Sequence, residues 1–420
     1  MSSIIYEIVF IKMRFEEMKF DFNTYTKDYI DADVIKTYAA KTTSVKKKFE
    51  INCDELKWYH MNEYVDNMEL KEMIELGKQL KETTDVLLVI GIGGSYAGAH
   101  AIYDALKPYF HRTHPEILFL GTNLSSRYLQ DLFVYLKDKR VSMNVISKSG
   151  NTMETMITYQ ILMTMMQKRY SKKELKKRIF ITTNIHQGKL LESAKKYGYR
   201  TFFVPDHISG RYSVLTPVAL FPMAVAGFDI LSFLTGAKEG RMHLNYASIY
   251  AMVRTIFFKR ERMVEAFTIY EPKLAMFTEW LKQLFAESEG KDCKGILPIG
   301  VMNPRDLHSL GQFISEGNPI LFETVLKIED GPDLFLPKYQ EHLREINHLV
   351  LDKVCEAHKL SGCPSNVITI ESLDEYHLGE ACMFFMMAAA LSAYLIDVDP
   401  FTQPGVETYK ELLAKELRVL

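Results

Sequence analysis

The stretch VLLVIGIGGSYAG, from Val86 to Gly98, decides the fold that we predict for this chain. Val86–Ile90 is an unbroken apolar run rich in β-branched residues, which is typical of a strand buried on both faces of a parallel sheet. The glycine turn Gly91–Ser95 follows, and then a helix-forming run over 96–106. This order brings backbone N–H groups up to a phosphate at the helix N-terminus, because glycines carry no Cβ to block the approach.

Neither of the common nucleotide signatures fits this turn. Gly91-Ile92-Gly93 opens like the dinucleotide fingerprint, but Tyr96 occupies the place of its third glycine. A nucleoside-triphosphate loop needs Gly-Lys-Ser/Thr after its last glycine, whereas Gly98 is followed by Ala-His. Taken alone, the turn therefore fits a structural turn of an α/β sheet and a small-phosphate site equally well.

The composition indicates a folded protein with more than one domain. The chain has 420 residues, of which 47% are hydrophobic and 25% charged, so a large core is expected. A net charge of -2 argues against nucleic acid as the main partner. The five cysteines form no metal-binding or redox pattern, which indicates reduced intracellular thiols.

Two apolar stretches, 213–234 and 383–396, need to be considered as membrane spans. The first contains two prolines and Asp229, and the second is bounded by Glu380 and Asp397. The second is also shorter than the ~20 residues of a spanning helix. We therefore expect both to be buried core helices, and we predict neither a membrane span nor a signal peptide.

Apolar runs alternate with helix-like stretches along most of the chain, which predicts doubly wound parallel sheets. The first series of predicted strands is 86–90, 117–120, 141–146, 178–182 and 200–204. Residues 240–275 have a helical and connecting character. A second series of strands is predicted near 295–299, 320–327 and 366–370. We therefore expect two α/β halves, although no sequence repeat relates them.

The third predicted strand ends in the polar turn SKSGNTMET, Ser147–Thr155. Hydroxyl groups and backbone N–H groups at a helix N-terminus, beside Lys148, form an anion-binding loop. The alternative is an ordinary capped helix. Ligands of such sheets bind beyond the carboxyl ends of the strands. Two loops of this kind at strand ends of one sheet favour a sugar-phosphate site.

Six segments together resemble the glucose-6-phosphate isomerase family in its shorter bacterial form, and they occur in the family's order and spacing. They are GIGGSYAG at Gly91, SKSGNTMET at Ser147, GRYSVLTPVAL at Gly210, ESEGK at Glu287, DLHSLGQ at Asp306 and FTQPGVETYK at Phe401. The resemblance runs from about residue 18 to the C-terminus. Residues 1–17 have no counterpart, so they are expected to be an extension or to follow from a wrongly assigned start.

The resemblance implies an α/β fold with two SIS (sugar isomerase) domains, each a doubly wound parallel sheet between helices, with helical extensions. The implied divisions are a lead-in over 1–60, a first domain over 61–206 with the phosphate loops, a helical connector over 207–275, a second domain over 276–400 with the catalytic Glu and His, and a tail over 401–420 with the catalytic Lys. It also implies a cytoplasmic homodimer.

The implied reaction is the reversible isomerisation of glucose 6-phosphate and fructose 6-phosphate in glycolysis and gluconeogenesis. It proceeds through ring opening and a cis-enediol, without a metal or cofactor. Glu287 resembles the base that moves the carbon-bound proton. Without the family, the residues do not distinguish Glu287 from Glu289. His308, from the neighbouring subunit, and Lys410 resemble the ring-opening groups, and Arg211 resembles the group that stabilises the enediol.

A further set of residues resembles the family's substrate contacts. The hydroxyls and the lysine of the polar turn hold the 6-phosphate, and two glutamines contact the sugar or its neighbours. The set is Gly94, Ser95, Ser147, Lys148, Ser149, Thr152, Gly210, Gln283 and Gln403. The family has two glycines before the arginine, whereas Ser209 and Gly210 stand here; we expect this to alter the loop slightly.

Two other functions fit parts of the same pattern. One is a related isomerase that also accepts mannose 6-phosphate, since the same base and anion loops would serve it. The other is a SIS-type sensor of sugar phosphates that has the fold without the chemistry. Such a sensor is expected to lack the base, the histidine or the lysine, and all three, Glu287, His308 and Lys410, are present.

Overall fold

The computed structural model describes residues 18–30, 32–51, 54–60 and 66–416. The predicted N-terminal extension, 1–17, and Cys53 lie outside this part of the chain. Among the described residues, those in the ranges 1–51 and 232–403 form one compact unit, unit 1. Those in the ranges 52–231 and 404–420 form unit 2.

The strands alternate with helices in both units. In chain order they are β1 (Lys19–Tyr25), β2 (Val86–Ile90), β3 (Glu116–Leu120), β4 (Val141–Ser147), β5 (Ile179–Thr183), β6 (Arg200–Phe203), β7 (Val264–Ile269), β8 (Leu297–Met302), β9 (Leu321–Ile328), β10 (Phe335–Leu336), β11 (Glu341–His342) and β12 (Ser365–Ile370).

The α-helices of the described residues follow the same order. They are α1 (Ala32–Lys46), α2 (Lys57–His60), α3 (Asn67–Thr83), α4 (Ala97–Leu106), α5 (Ser126–Tyr135), α6 (Met153–Arg169), α7 (Lys172–Arg178), α8 (Lys189–Tyr197), α9 (Pro217–Ala226), α10 (Ile230–Gly240), α11 (Leu244–Lys259), α12 (Ala275–Glu289), α13 (Gly311–Glu316), α14 (Leu343–Leu360), α15 (Glu375–Leu395) and α16 (Glu407–Glu416).

The sheet of unit 2 has the order β3-β2-β4-β5-β6, and all its strand pairs are parallel. It matches the first predicted series of strands. Every residue of β2 is buried, as expected of a strand covered on both faces. The chain winds from β2 to β3 on one side and returns to β4 on the other. A switch of this kind opens a crevice at the carboxyl ends of β2 and β4, where ligands of such sheets bind.

The sheet of unit 1 has the order β1-β12-β9-β7-β8, with β1 antiparallel at its edge. The strands β8-β7-β9-β12 are parallel and repeat the winding of β3-β2-β4-β5. This repeat explains why the sequence suggests two α/β halves that cannot be aligned. The topology is shared, while the side chains that build it differ.

The observed units differ from the predicted divisions. The stretch predicted as a helical connector, 207–275, belongs to unit 2 up to residue 231 and to unit 1 from residue 232. Its last part is the strand β7, in the middle of a sheet, and not a helix. Five of its six residues are buried on both faces, and Glu265 interrupts the apolar run. The lead-in likewise contributes a strand, β1, to unit 1.

Of the two apolar stretches predicted as core helices, 383–396 lies almost entirely in α15, whereas 213–234 comprises the end of a 3-10 turn, α9 and the start of α10. Among the described residues, α15 is the helix long and apolar enough to cross a membrane, and 94% of that stretch is buried within the protein. A Cβ at Gly379 of α15 would lie 2.0 Å from the carbonyl oxygen of Phe233 in α10. The backbones of these two helices are therefore in contact, as expected of helices in a packed core.

Candidate active site

The glycine turn after β2 is a 3-10 turn, Gly93–Ser95, that leads into α4. Gly93 has a φ of +57°, a conformation that favours glycine. A Cβ at Gly94 would lie 2.1 Å from the carbonyl carbon of Gly210. Glycine at position 94 therefore lets the glycine turn contact the loop that carries Arg211. The sequence predicts the turn, but not this contact.

Three of the four hydroxyl groups of the polar turn, those of Ser147, Ser149 and Thr152, form one cluster at the N-terminus of α6. Ser147 is 1% exposed, and its Oγ lies 2.9 Å from Thr152 Oγ1 and 3.4 Å from Ser149 Oγ. The Ser147 hydroxyl also accepts a hydrogen bond of 3.1 Å from the N–H of Gly150. The structure thus brings three of the predicted phosphate contacts together, Ser147, Ser149 and Thr152, where the helix dipole favours an anion.

Lys148 belongs to the same turn, but its ammonium group contacts another loop. Nζ donates to the backbone carbonyl oxygens of Asp206, at 2.6 Å, and Ile208, at 2.8 Å. Burial lowers the pKa of the Lys148 ammonium, and the nearby Asp206 carboxylate partly opposes this effect. The lysine therefore joins the polar turn to the segment that precedes Arg211.

Arg211 lies in the 3-10 turn Gly210–Leu215 and is 1% exposed. The next residue, Tyr212, stacks on Trp58 with ring centroids 5.1 Å apart. Ser213 Oγ lies within hydrogen-bond distance of two carbonyl oxygens, Gly210 at 2.7 Å and Gly94 at 3.2 Å. The arginine loop is thus built into unit 2 against the glycine turn.

A polar surface pocket of about 260 Å³ opens beside the polar turn. Its lining residues are Lys148, Ser149, Asn151, Asn184, Gln187 and Gly188. Gly188 has a φ of +116°, and a Cβ there would lie 2.7 Å from the carbonyl oxygen of Ser149. The last three lining residues follow β5 and are not predicted from the sequence. They could have been found from their position, because they follow β5, which lies beside β4 in the sheet, and the residues after two neighbouring parallel strands lie close together.

In unit 1, Glu287 lies half-buried in the last turn of α12. Its carboxylate accepts a hydrogen bond of 3.2 Å from Gln283 Nε2, one turn earlier. Lys291 Nζ donates to the carbonyl oxygens of Glu287 and Ser288, each at 2.7 Å, and so caps the end of the helix. The structure therefore brings two of the predicted site residues, Gln283 and Glu287, into direct contact.

Glu289 has a different environment, although it is two residues away. It is 1% exposed, and its carboxylate is paired with the guanidinium of Arg254, which is 0% exposed. Arg254 Nε also donates to Glu265 Oε2 at 2.7 Å. Glu265 in turn accepts hydrogen bonds from Tyr250 and Thr324. The sequence does not predict this buried network, because its members lie on separate elements.

His308 is exposed at the end of the 3-10 turn Arg305–His308, which follows β8. The carboxylate of Asp306 holds this turn, since it accepts hydrogen bonds of 2.8 Å from the N–H of Met302 and from Arg305 Nε. The hydrogen bond from Arg305 lowers the pKa of the Asp306 carboxyl. The histidine therefore projects from a fixed turn at the carboxyl ends of the strands of the unit 1 sheet.

Glu287 and His308 lie near opposite ends of the strands of that sheet. A Cβ at Gly300 in β8 would lie 2.6 Å from Thr278 Oγ1 in α12, which fixes the two elements side by side. Because α12 connects parallel strands, it runs antiparallel to them. Glu287 therefore lies about 13 Å beyond Thr278, toward the amino ends of the strands. His308 follows β8, whose end lies about 7 Å beyond Gly300 in the other direction. The separation along the strands is about 20 Å.

Two further predicted site residues lie near the C-terminus. Gln403 is exposed at the end of unit 1. Lys410 lies on α16 in unit 2, with Nζ 2.7 Å from Glu407 Oε1 on the same helix. No group of three His, Cys, Asp or Glu side chains in the described part of the chain is arranged to hold a metal ion.

Comparison with known proteins supports a sugar-phosphate isomerase. The chain matches the phosphoglucose isomerase family over residues 39–296. It is 43% identical over 379 residues to the glucose-6-phosphate isomerase of Staphylococcus haemolyticus (strain JCSC1435), which covers 85% of this chain and 86% of that protein. The family resemblance inferred from the six motifs is thereby confirmed.

Two solved structures share the fold. A hypothetical protein from Thermus thermophilus has a TM-score of 0.84 at 22% identity, covering 95% of this chain and 99% of that one. A glucose-6-phosphate isomerase from Chlamydia trachomatis has a TM-score of 0.82 at 18% identity, covering 97% and 89%. With the parallel strands that form most of both five-stranded sheets, these likenesses confirm the predicted SIS-type α/β fold.

Proposed function

The chain belongs to the phosphoglucose isomerase family, and we propose that it catalyses the reversible isomerisation of glucose 6-phosphate and fructose 6-phosphate. The observation that carries this proposal is the cluster of hydroxyls at Ser147, Ser149 and Thr152, at the switch point of the unit 2 sheet. Such a cluster at a helix N-terminus suits the 6-phosphate common to both sugars. Enzymes of glycolysis and gluconeogenesis act in the cytoplasm, where we place this protein.

The proposed substrate contacts extend from the phosphate to the sugar. The hydroxyl groups of the polar turn and Ser95 hold the phosphate, while the backbone at Gly94 and Gly210 allows a close approach. Gln283 and Gln403 contact the sugar or the catalytic groups. Since Gln283 already donates to Glu287, it also holds the orientation of that carboxylate.

Glu287 is the proposed base that moves the proton between C2 and C1 of the open-chain sugar. A base for this step must reach the substrate, and Glu287 is half-buried, whereas Glu289 is 1% exposed and paired with Arg254. Arg211 stabilises the negative charge that develops on the cis-enediol. A guanidinium at a buried position suits this role, because its attraction to charge is weakly screened there.

His308 and Lys410 are the proposed acid and base groups of ring opening. The imidazole changes its charge near neutral pH, so it can exchange a proton with the ring oxygen. Lys410 supplies an ammonium group near the ring and hydroxyl oxygens of the sugar. Neither ring opening nor the proton transfer between C2 and C1 needs a metal ion, because the side chains themselves exchange the protons and stabilise the charge.

We propose that two copies of the chain share each active site, with His308 provided by the neighbouring subunit of a homodimer. The separation of about 20 Å between Glu287 and His308 within unit 1 supports this, because one sugar cannot contact both. Exposed apolar side chains on the segments after His308 also suit contact with a second copy. They include Leu310, Phe313, Leu334, Phe335 and Tyr339.

A coupled assay tests the proposed reaction. Purified protein should convert fructose 6-phosphate to glucose 6-phosphate, detected by a dehydrogenase specific for glucose 6-phosphate. Fructose without a phosphate is the matched control substrate, and we expect it to be converted much more slowly because it lacks the anion. No turnover of fructose 6-phosphate by folded, dimeric protein would reject the proposed function.

Hybrid dimers test the shared active site. Subunits carrying Glu287→Gln and subunits carrying His308→Ala should each be inactive alone. Mixed after dissociation, they should regain up to about a quarter of the wild-type activity, because half of the dimers are hybrid and each contains one intact site. A purified hybrid dimer without activity would contradict a site built from two subunits.

A further inference from the structure

We propose that Lys148 is a positioning residue, which holds the loop 204–210 by two of its backbone carbonyl groups and thereby orients Arg211. The resemblance to the family implies a different role, in which Lys148 binds the substrate phosphate. The inference rests on the proposed isomerase function, in which Arg211 stabilises the enediol.

The ammonium group of Lys148 is turned toward this loop. Nζ donates to the carbonyl oxygen of Asp206 at 2.6 Å and to that of Ile208 at 2.8 Å. These lengths are typical of charge-assisted hydrogen bonds. Both acceptors lie within five residues of Arg211 in the sequence. The side chain is half-buried, so water competes less for the ammonium group than at an exposed site.

The same loop is also held at its two ends. Before it, the N–H of Val204 donates to the carbonyl oxygen of Thr183 at 3.0 Å, which continues the contact between β5 and β6. After it, Gly210 packs directly on Gly94, and the hydroxyl of Ser213 bonds to that glycine's carbonyl oxygen at 3.2 Å. The middle of the loop is held by Lys148, which belongs to the phosphate turn.

The carboxylate of Asp206 provides another link for this segment. Asn184 Nδ2 donates to Asp206 Oδ1, and His186 Nε2 lies 3.3 Å from Asp206 Oδ2. Asp206 therefore connects through its side chain to the segment after β5 and through its carbonyl group to Lys148. Removal of the Lys148 ammonium group would leave the Asp206 carbonyl oxygen without this hydrogen bond, while the contacts of the Asp206 carboxylate with Asn184 and His186 would remain.

The two roles predict different kinetics for Lys148→Met, which keeps the aliphatic length and removes the charge. A positioning role predicts that kcat falls by about tenfold or more. A displaced Arg211 would stabilise the negative charge of the transition state less well, while the binding of the ground state would change little. The inhibition constant of inorganic phosphate should then change by less than about twofold. A phosphate contact predicts the reverse, a weaker inhibition by phosphate with kcat preserved, and that result would overturn the proposal.

Thr152→Ala is the matched control, since it removes a hydroxyl from the proposed phosphate cluster. We expect it to weaken phosphate inhibition by about fivefold or more, which is the effect that Lys148→Met should lack. The double variant Lys148→Met with Arg211→Lys should have a kcat within about threefold of Arg211→Lys alone, because both changes disturb one interaction. A kcat reduced by the product of the two single effects would contradict action through Arg211.

Hydrogen exchange tests the loop without reference to activity. Amides of residues 204–212 should exchange faster in Lys148→Met than in the wild type. In Lys148→Arg, which keeps the charge and can still donate to both carbonyl groups, the protection should be largely retained. Unchanged exchange in Lys148→Met would overturn the proposal. An inactive wild-type protein would reject the proposed function, but the exchange result would still decide whether Lys148 holds the loop.

Discussion

Glutamine substitutions at positions 287 and 289 should separate catalysis from stability. Glu287 is half-buried, and its carboxylate contacts the neutral amide of Gln283. Glu287→Gln keeps the shape and removes the base, so kcat for fructose 6-phosphate should fall by about 10³-fold, which corresponds to ~4 kcal/mol. The free energy of unfolding should change by less than about 0.5 kcal/mol, as for other substitutions outside a packed core.

Glu289→Gln should mainly destabilise the fold. Its carboxylate and that of Glu265 share the guanidinium of Arg254, and all three side chains are at most 1% exposed. Neutralising Glu289 leaves a balanced pair of Arg254 and Glu265, so we expect a cost of about 2–3 kcal/mol, below that of an unpaired buried charge. Arg254→Met leaves two carboxylates without their counter-ion, and it should cost about 5 kcal/mol.

Urea unfolding and steady-state kinetics together test this ordering. Glu289→Gln should unfold at a lower urea concentration than Glu287→Gln, and Arg254→Met at a lower one still. At temperatures where it is folded, Glu289→Gln should retain at least about a tenth of the wild-type kcat, since Glu287 remains in place. Wild-type turnover in Glu287→Gln, or a stable Glu289→Gln variant with the larger loss of kcat, would refute the assignment of the base.

Two other perturbations follow from contacts in unit 2. Gly94→Ala would place a Cβ 2.1 Å from the carbonyl carbon of Gly210, so we expect a lower melting temperature and a KM raised by about tenfold or more. Gly331→Ala, whose Cβ meets nothing within 4 Å, is the control, and equal behaviour of both variants would contradict the argument. For Asp85, hydrogen bonds from Arg140 lower the carboxyl pKa from 3.8 to about 2. The depressed value means that the ionised carboxylate stabilises the folded state above about pH 4, and that this contribution is lost as the pH falls through about 2. Asp85→Asn should therefore lower the free energy of unfolding by about 1 kcal/mol at pH 7, after allowance for solvent screening, and by about half as much at pH 3. Urea titrations that give the same difference at both pH values would rule this out.

The sheet of unit 2 could be predicted almost completely because its inner strands, β2, β4 and β5, are mostly apolar and are buried on both faces. The runs at 86–90 and 141–146 match β2 and β4 with small differences in their ends. The sequence did not predict β7 because Glu265 is its second residue, and a charged residue normally argues against a buried strand. Only the pairing with Arg254, eleven residues earlier on a helix, makes that burial possible.

The candidate site could be predicted loop by loop, but not as an arrangement. The hydroxyls of the polar turn are close in sequence, so their clustering follows from a short segment and a helix N-terminus. The contact of Gly94 with Gly210 joins loops that are more than a hundred residues apart. The bonds from Lys148 to the loop before Arg211 have the same character. No local pattern carries the information for such contacts.

The sequence by itself determined the α/β class, the parallel strand pairing, the glycine turn and the polar turn at strand ends and, through six motifs, the family. These depend on side-chain periodicity, glycine conformation and short spacings, which act within one element and the next. The tertiary structure alone decided that Glu289 is buried in an ion network while Glu287 remains accessible, and that Lys148 turns toward a neighbouring loop. It did so because burial and charge pairing are set by elements that meet only when the chain is folded.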